Sequence, residues 1–567
     1  MLRKVVFLSL IFAALAVSAT AQAPAVTLIP GVTFQQEVRF TPQGPVVLDV
    51  ITTPRPGGVY SLTPVLARGT VSGSLDLLTG IETDASASAS APLVGINGDS
   101  FTSKGYPTGI VLQNGIVLHG ALSTRSSIGF DASGTMHVKR VTFVGTWKGA
   151  GQRRPLNGVN QIPKAGQVVL FTPAWGAATP TVASSTEVVL EPFPAAVAGT
   201  DLTAPVTSQA AGGGTPIPGD GAVLMTVNAG AASTPPLQAD APQGQSVTVR
   251  LILPSDWATV TNAIGGGPLL VKNGKAVFHT GEDFDPSELG ARDARAGGGQ
   301  LADGRVVLVA IDGSQPGYSV GMSVFDLANT MVSLGAVTAA AVDSGASVTA
   351  AFGGHLLSRP RISGGRPIKD ALLLEYVGVY APPPSVALLN KDTAAAGEQL
   401  SYTILRPSTV SASVVGPDGV ATLLDSGNKA PGTYPFIFNA INGEGTWHWK
   451  VTAVDDLGRA SSVDETFGFD LTLSGLTVPR STTRAGGLVA RFQLSRPASV
   501  TLQIEAPGGT IVRSLPAEQE PAGPGSAHWD ATLDGLAKAP PGSYVAGVIA
   551  TSAVGTMDLS APFTLRG

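Results

Sequence analysis

The chain has 567 residues, of which 43% are hydrophobic and only 13% charged, with a net charge of −5 and no cysteine. That length exceeds one compact domain, so roughly two to four are expected. So sparse and slightly acidic a charge excludes a nucleic-acid-binding role, and the missing cysteine excludes disulfides and a lipid-modified cysteine anchor.

The N-terminus reads as a secretory signal over residues 1–21. Arg3 and Lys4 form the charged region, 5–17 the apolar region, and Ala19-Thr20-Ala21 the cleavage site. The apolar run is too short to read as a membrane span, so none is expected after cleavage. Export without disulfides is more usual for bacteria than for animal secretion, so the expected location is secreted, periplasmic or cell-envelope. Next, 38–52 alternates apolar and polar residues, as strands do. Segments 109–118 and 127–144 read as hairpins, turning at Gln113-Asn114-Gly115 and Asp131-Ala132-Ser133-Gly134. Further strands are expected at 168–172 and 186–190. The stretch 195–245, rich in Ala, Gly, Pro and Thr, reads mostly as loop with one strand at 222–227. Segment 255–264 reads as a helix capped by Ser255 and ended by glycines.

Residues 306–311 form a continuous apolar run, the mark of a buried strand. Ser323 then opens a helix with Asp326 as a capping box. Val324, Leu327, Met331 and Leu334 share one helical face, and Gly335 closes it. A second apolar run, 337–342, delivers the chain to Asp343-Ser344-Gly345-Ala346-Ser347, small residues that let a ligand approach the backbone. Ala381-Pro382-Pro383-Pro384 is a stiff linker. Beyond it, 401–419 aligns without gaps with 491–509 at an offset of 90, sharing the pairs Arg406/Arg496, Pro407/Pro497, Val410/Val500, Pro417/Pro507 and Gly419/Gly509. The repeat predicts two β-sandwich modules, with Trp447, Trp449 and Trp529 in their cores.

Several motifs in order carry a family resemblance. They are Asn97-Gly98-Asp99-Ser100-Phe101, Thr172-Pro173-Ala174-Trp175-Gly176, Gly265-Gly266-Gly267-Pro268, Asp303-Gly304-Arg305, the run from Asp312 to Met322, Asp343 to Thr349, and Arg359-Pro360 with Arg366-Pro367. Residues 30–380 thereby resemble the phosphodiester glycosidase domain. The departures are the family's glycine triplet, here Ser344-Gly345-Ala346, and Ala296 after the matched Arg295. The two C-terminal repeats resemble immunoglobulin-like modules of the flagellar hook-capping kind. The expected fold class is α+β and β-rich, a mixed α+β catalytic domain at 22–380 followed by Ig-like sandwiches at 381–472 and 473–567.

The resemblance implies hydrolysis of a glycosyl-1-phosphodiester in an extracellular or envelope glycan. Arginine's planar fork matches phosphate oxygens, and a carboxyl group moves a proton or stabilises a cationic sugar-like transition state. Asp99 and Asp343, each in a small-residue turn after an apolar strand, are the candidate catalytic pair. Asn97, Arg295, Asp312, Ser347 and Arg366 are the candidate substrate-binding residues. The competing reading is a non-catalytic cell-surface glycan-binding or assembly protein with an altered loop, associated with the surface through its Ig-like modules. A second rival is a serine hydrolase, from Gly317-Tyr318-Ser319-Val320-Gly321 with Asp343 and His355 following; its serine, however, does not sit at a strand end. No metal site and no cofactor are expected, since the six histidines are scattered and no H-E-x-x-H occurs.

Overall fold

The computed structural model describes residues 20–121, 124–228, 235–277, 281–385, 388–390, 397–439, 443–507, 509–535 and 537–567. The expected signal segment lies outside these residues up to position 19. Among the described residues no helix is long and apolar enough to cross a membrane. The chain divides into two compact units, Met1–Tyr376 and Val377–Gly567.

The expected α+β class is overturned: the chain is 51% strand and 8% helix. Two misread segments account for much of the difference. Within 195–245, Asp201–Ala211 is an eleven-residue strand with alternating burial of Leu202, Ala204 and Val206. The Pro and Ala residues there masked a period-2 pattern. At 255–264 only Ser255–Trp257 is helical, as a single 3-10 turn. The β-branched Val260, Thr261 and Ile264 belong to the strand Val260–Gly265, held between Ser126–Asp131 and Val111–Gln113.

In the first unit a nine-stranded antiparallel sheet carries the strands Gly44–Thr53, Val306–Ile311, Arg295–Leu301, Ala336–Ala341 and Leu269–Lys272 as consecutive neighbours. The helix Val324–Ser333 packs on it. Ser323 and Asp326 close a reciprocal capping box, and Leu327 and Met331 are fully buried against the sheet. Gly335 follows at φ +90°, the left-handed helix stop that glycine tolerates best. A five-stranded sheet holds Ala350–Phe352, Val94–Asn97, Asp370–Tyr376 and Tyr60–Leu66 in that order. A second five-stranded sheet contains Val260–Gly265, and an eight-stranded sheet completes the unit.

In the second unit, the strands Glu398–Ile404 and Ser408–Val415 begin 90 residues before Leu488–Leu494 and Ala498–Glu505, the offset of the sequence repeat. Val410 and Val500 are buried at the same place in their strands, and Trp449 and Trp529 are fully buried in separate cores.

One polar feature of the large sheet is costly. Asp49, on Gly44–Thr53, is fully buried; its Oδ1 accepts Gln36 Nε2 at 2.9 Å, while Oδ2 has no partner among the described residues. Burial, then the neighbouring Asp312 charge, pushes its carboxyl up to about 8. A raised folded-state value means that the folded state holds this proton more tightly than the unfolded chain. The stability it contributes is therefore present at low pH and lost as pH rises from about 4 through about 8. In urea titrations Asp49→Asn should match the parent at pH 5 and exceed it at pH 8.5 by on the order of 2 kcal/mol. A variant no more stable than the parent at pH 8.5 would show that Asp49 ionises at no cost.

Candidate functional site

Strand Val94–Asn97 is buried at every position and hands the chain to Gly98 and Asp99. Strand Ala336–Ala341, from a different sheet, hands it to Val342 and Asp343. The two strand ends are joined by main chain: Asp343 N–H donates to the Gly98 carbonyl at 2.9 Å. Asn97 reinforces the junction. Its Nδ2 donates to the Asp343 carbonyl at 3.0 Å and its Oδ1 accepts Thr349 N–H at 3.2 Å. Asn97 is thus fully buried and occupied in building the turn, with no side-chain face toward solvent.

The strand Val260–Gly265 of a third sheet supplies Gly265 beside Asp99. A β-carbon on Gly265 would collide with Asp99 Oδ2 and lie 2.7 Å from the Gly109 Cα; one on Gly98 would collide with Asp370 Oδ1. These glycines serve close approach. Asp99, Asp343, Ser344, Arg125, Arg295 and Phe284 are among the residues that enclose a cleft of about 450 Å³.

Asp99 is 3% exposed. Its N–H donates to Asp370 Oδ1 at 2.7 Å, and its Oδ2 accepts Thr108 Oγ1 at 3.0 Å and Gly109 N–H. Burial holds its carboxyl up at about 6; those hydrogen bonds oppose the shift and the Asp343 charge adds to it. Asp343 is half-buried. Burial raises it too, but the Ser347 hydroxyl, the Ser344 N–H, Arg366 and Arg125 all favour its charged form. Asp370, fully buried beneath the Gly98 turn, is pushed well above the ordinary range by burial and by Asp99. Asp370 was not legible as a site residue: its apolar neighbours Ala371 to Leu374 mark only a strand.

Ser347 is fully buried and accepts Arg366 Nη1 at 3.1 Å, while the Arg366 guanidinium lies 4.7 Å from the Phe101 ring centroid. Ser347 therefore links Asp343 to Arg366. Arg125 stands 4.0 Å over the Phe284 ring with its Nε donating to the Asp283 carbonyl at 2.9 Å. No sequence motif marked Arg125; only the tertiary fold carries it to the cleft. Arg295 is 6% exposed and lines the cleft wall. Its Nη2 donates to the Glu288 and Ala291 carbonyls at 2.7 and 2.8 Å, and its Nε to the Met322 carbonyl at 3.2 Å. Asp312 is not among the cleft-lining residues. It is buried, accepting the Tyr318 hydroxyl at 3.0 Å and the Arg359 N–H at 3.1 Å.

In the loop after Asp343, only Gly345 has a left-handed backbone, at φ +68°. Ser344 has φ −118°, an ordinary value for any residue. The serine hydrolase arrangement is absent. Ser319 is fully buried, with its hydroxyl donating to the Asp312 carbonyl and accepting Val47 N–H at 3.0 Å, and His355 is exposed on another strand. Among the described residues no group of three or more His, Cys, Asp or Glu is placed to hold a metal.

Residues 194–375 match the family model of phosphodiester glycosidase, which indicates a glycosidase-type hydrolase. The match includes Arg295, Asp343, Ser347 and Arg366; Asn97, Asp99 and Arg125 lie outside it. Among solved structures, a hypothetical protein from Synechocystis is 25% identical with a TM-score of 0.52, the similarity covering 62% of this chain and 64% of that one. This chain thus spans less than two thirds of that relative. A putative exported protein from Burkholderia pseudomallei K96243 is 18% identical with a TM-score of 0.50, over 64% of this chain and 97% of that one. The zebrafish N-acetylglucosamine-1-phosphodiester alpha-N-acetylglucosaminidase catalytic domain, auto-inhibited by its pro-peptide, is more distant, at 13% identity and a TM-score of 0.34. No curated protein matches the chain.

Because Gly265 packs against both Asp99 and the Gly109 backbone, Gly265→Ala should lower unfolding free energy by roughly 2 kcal/mol or more. Chemical denaturation measures this. A loss below about 0.5 kcal/mol would mean that the glycine is not holding the carboxylate in place.

Proposed function

We propose that this protein is an exported hydrolase cleaving glycosyl-1-phosphodiester linkages in an extracellular or envelope glycan. The observation that carries the reading is the junction of two strand ends, Gly98–Asp99 and Val342–Asp343, beside arginines in a single cleft. The phosphodiester glycosidase match over 194–375 supports the reaction class.

In this reading Arg125 and Arg366 hold the phosphodiester oxygens. Stacking on Phe284 and Phe101 limits their rotamers, so less ordering entropy is lost on binding. The bond between the anomeric carbon and the phosphodiester oxygen breaks, and the leaving phosphate keeps the electron pair. A water oxygen bonds to the anomeric carbon, and its proton passes to the ionised carboxylate. Asp343, flanked by two cations and the Ser347 hydroxyl, is the carboxylate more readily ionised and takes that role. Asp99, with no cation among the main influences on it, keeps its proton longer and donates a hydrogen bond to the substrate. The leaving phosphodiester is already a stable anion, so charge stabilisation matters more than proton donation to it. Arg295 braces the cleft wall, and Asp312 holds the loop that carries Arg359. Cleavage of the N-terminal segment before export completes would fit the expected signal, and the second unit would present the hydrolase at the cell surface.

Turnover of a sugar-1-phosphodiester, read as release of phosphomonoester, tests the proposal. Asp343→Asn should lower kcat/KM by about 10²-fold or more. Equal, negligible turnover in the parent and in both Asp→Asn variants would overturn the hydrolytic reading; glycan affinity retained beside it would favour a binding protein. A protonated Asp99 predicts activity that falls as pH rises through about 6. Asp99→Asn, which cannot ionise, should flatten that alkaline limb. An unchanged limb would assign it to another group.

A further inference from the structure

The segment 359–366, Arg-Pro-Arg-Ile-Ser-Gly-Gly-Arg, holds three arginines and no acid in a chain where lysine and arginine total 35 of 567 residues. Arg359, Arg361 and Ile362 are exposed. Arg359 rests its guanidinium 4.5 Å from the Tyr318 ring centroid, which fixes it on the surface as a presented cation. Arg361 Nη1 is 3.9 Å from Asp293 Oδ1, a long contact between side chains 43% and 31% exposed, and weak for that reason.

These residues adjoin the cleft through the 343–347 loop. Gly345 N–H donates to the Ala294 carbonyl at 2.9 Å, and a β-carbon on Gly345 would stand 3.1 Å from Asp293 Oδ2. Arg361 therefore flanks the loop on the Gly345 side, next to cleft-lining Ser344. Arg366 flanks the same loop on the Ser347 side. The acids facing this strip are Asp293, which also accepts the Ser314 hydroxyl at 2.6 Å, and Asp312, buried beneath Tyr318 and Arg359.

We infer that Arg359 and Arg361 form a docking strip that extends the cleft along a polyanionic glycan, so that the substrate is a polymer with repeated phosphodiester groups. The inference rests on the phosphodiester reading above for its ligand class. Three physical points support it. A single diester occupies Arg125 and Arg366 and leaves no use for exposed cations farther along the loop. Guanidinium forks match phosphodiester oxygens. A molecule of net charge −5 repels a polyanion at long range, so capture requires local positive charge acting within a Debye length of about 8 Å.

The test uses the full chain and the double variant Arg359→Gln/Arg361→Gln. Two probes are compared: a fluorescent oligomer of four or more glycosyl phosphate repeats and a single sugar-1-phosphodiester. Anisotropy at 50 and 200 mM salt should show oligomer binding weakened about tenfold in the variant. Its logarithmic salt slope should fall by about one, since each phosphate contact on a flexible polyanion contributes about 0.7. Turnover of the single diester should stay within about twofold and the thermal midpoint should not move. Equal oligomer affinity in parent and variant would overturn the inference. So would equal losses on both probes, or arginine-dependent binding to phosphatidylglycerol vesicles with none to the oligomer. Arginine-dependent oligomer binding by a parent that hydrolyses neither probe would uphold the strip and refute the hydrolytic reading, so the two claims fail separately.

Discussion

One main-chain hydrogen bond organises the first unit's chemistry: Asp343 N–H to the Gly98 carbonyl. It ties the end of a strand from the nine-stranded sheet to the end of a strand from a five-stranded one. A carboxyl group follows each strand, so the bond brings two acids to one cleft. Water is largely excluded there, and burial is the largest influence on both groups. Removing a charged carboxylate from water is expensive unless hydrogen bonds or cations compensate. Asp99 receives hydrogen bonds only, whereas Asp343 also has arginines. The two acids are therefore chemically unequal although both begin as turn aspartates.

Small residues make this crowding possible. Gly98 and Gly265 leave room for Asp370 and Asp99, and Gly345 turns the loop that carries Ser347. The Ser344-Gly345-Ala346 sequence keeps glycine at the position whose backbone demands it. A serine at 344 adds a hydroxyl to the cleft lining without backbone strain. The altered triplet is compatible with an intact loop for that reason.

Much of this was legible in the chain. The buried strand Val306–Ile311, the capped helix Val324–Ser333 and the turns carrying Asp99 and Asp343 follow from local pattern, because burial on both faces and a capping box leave direct signatures. The class did not follow, since Asp201–Ala211 and Val260–Gly265 are strands whose partners are distant in sequence. Site residues divided the same way. Arg366 sits in a recognisable Arg-Pro pair, but Arg125 and Asp370 are set in place only by tertiary packing. Arg295 and Asn97 were identified by motif, yet the structure engages both in backbone hydrogen bonds that build the cleft. A motif records that a residue type is needed, and only geometry tells whether it supports the wall or faces the ligand.

The most direct test is a crystal structure of the full chain with a non-hydrolysable sugar-1-phosphonate diester. The account predicts the anomeric carbon within reach of both Asp99 and Asp343, the phosphonate oxygens on Arg125 and Arg366, and the ligand chain leaving toward Arg361. A ligand bound elsewhere, or a cleft that stays empty at saturating analogue while the two aspartates remain packed against Gly265 and Ser347, would contradict it.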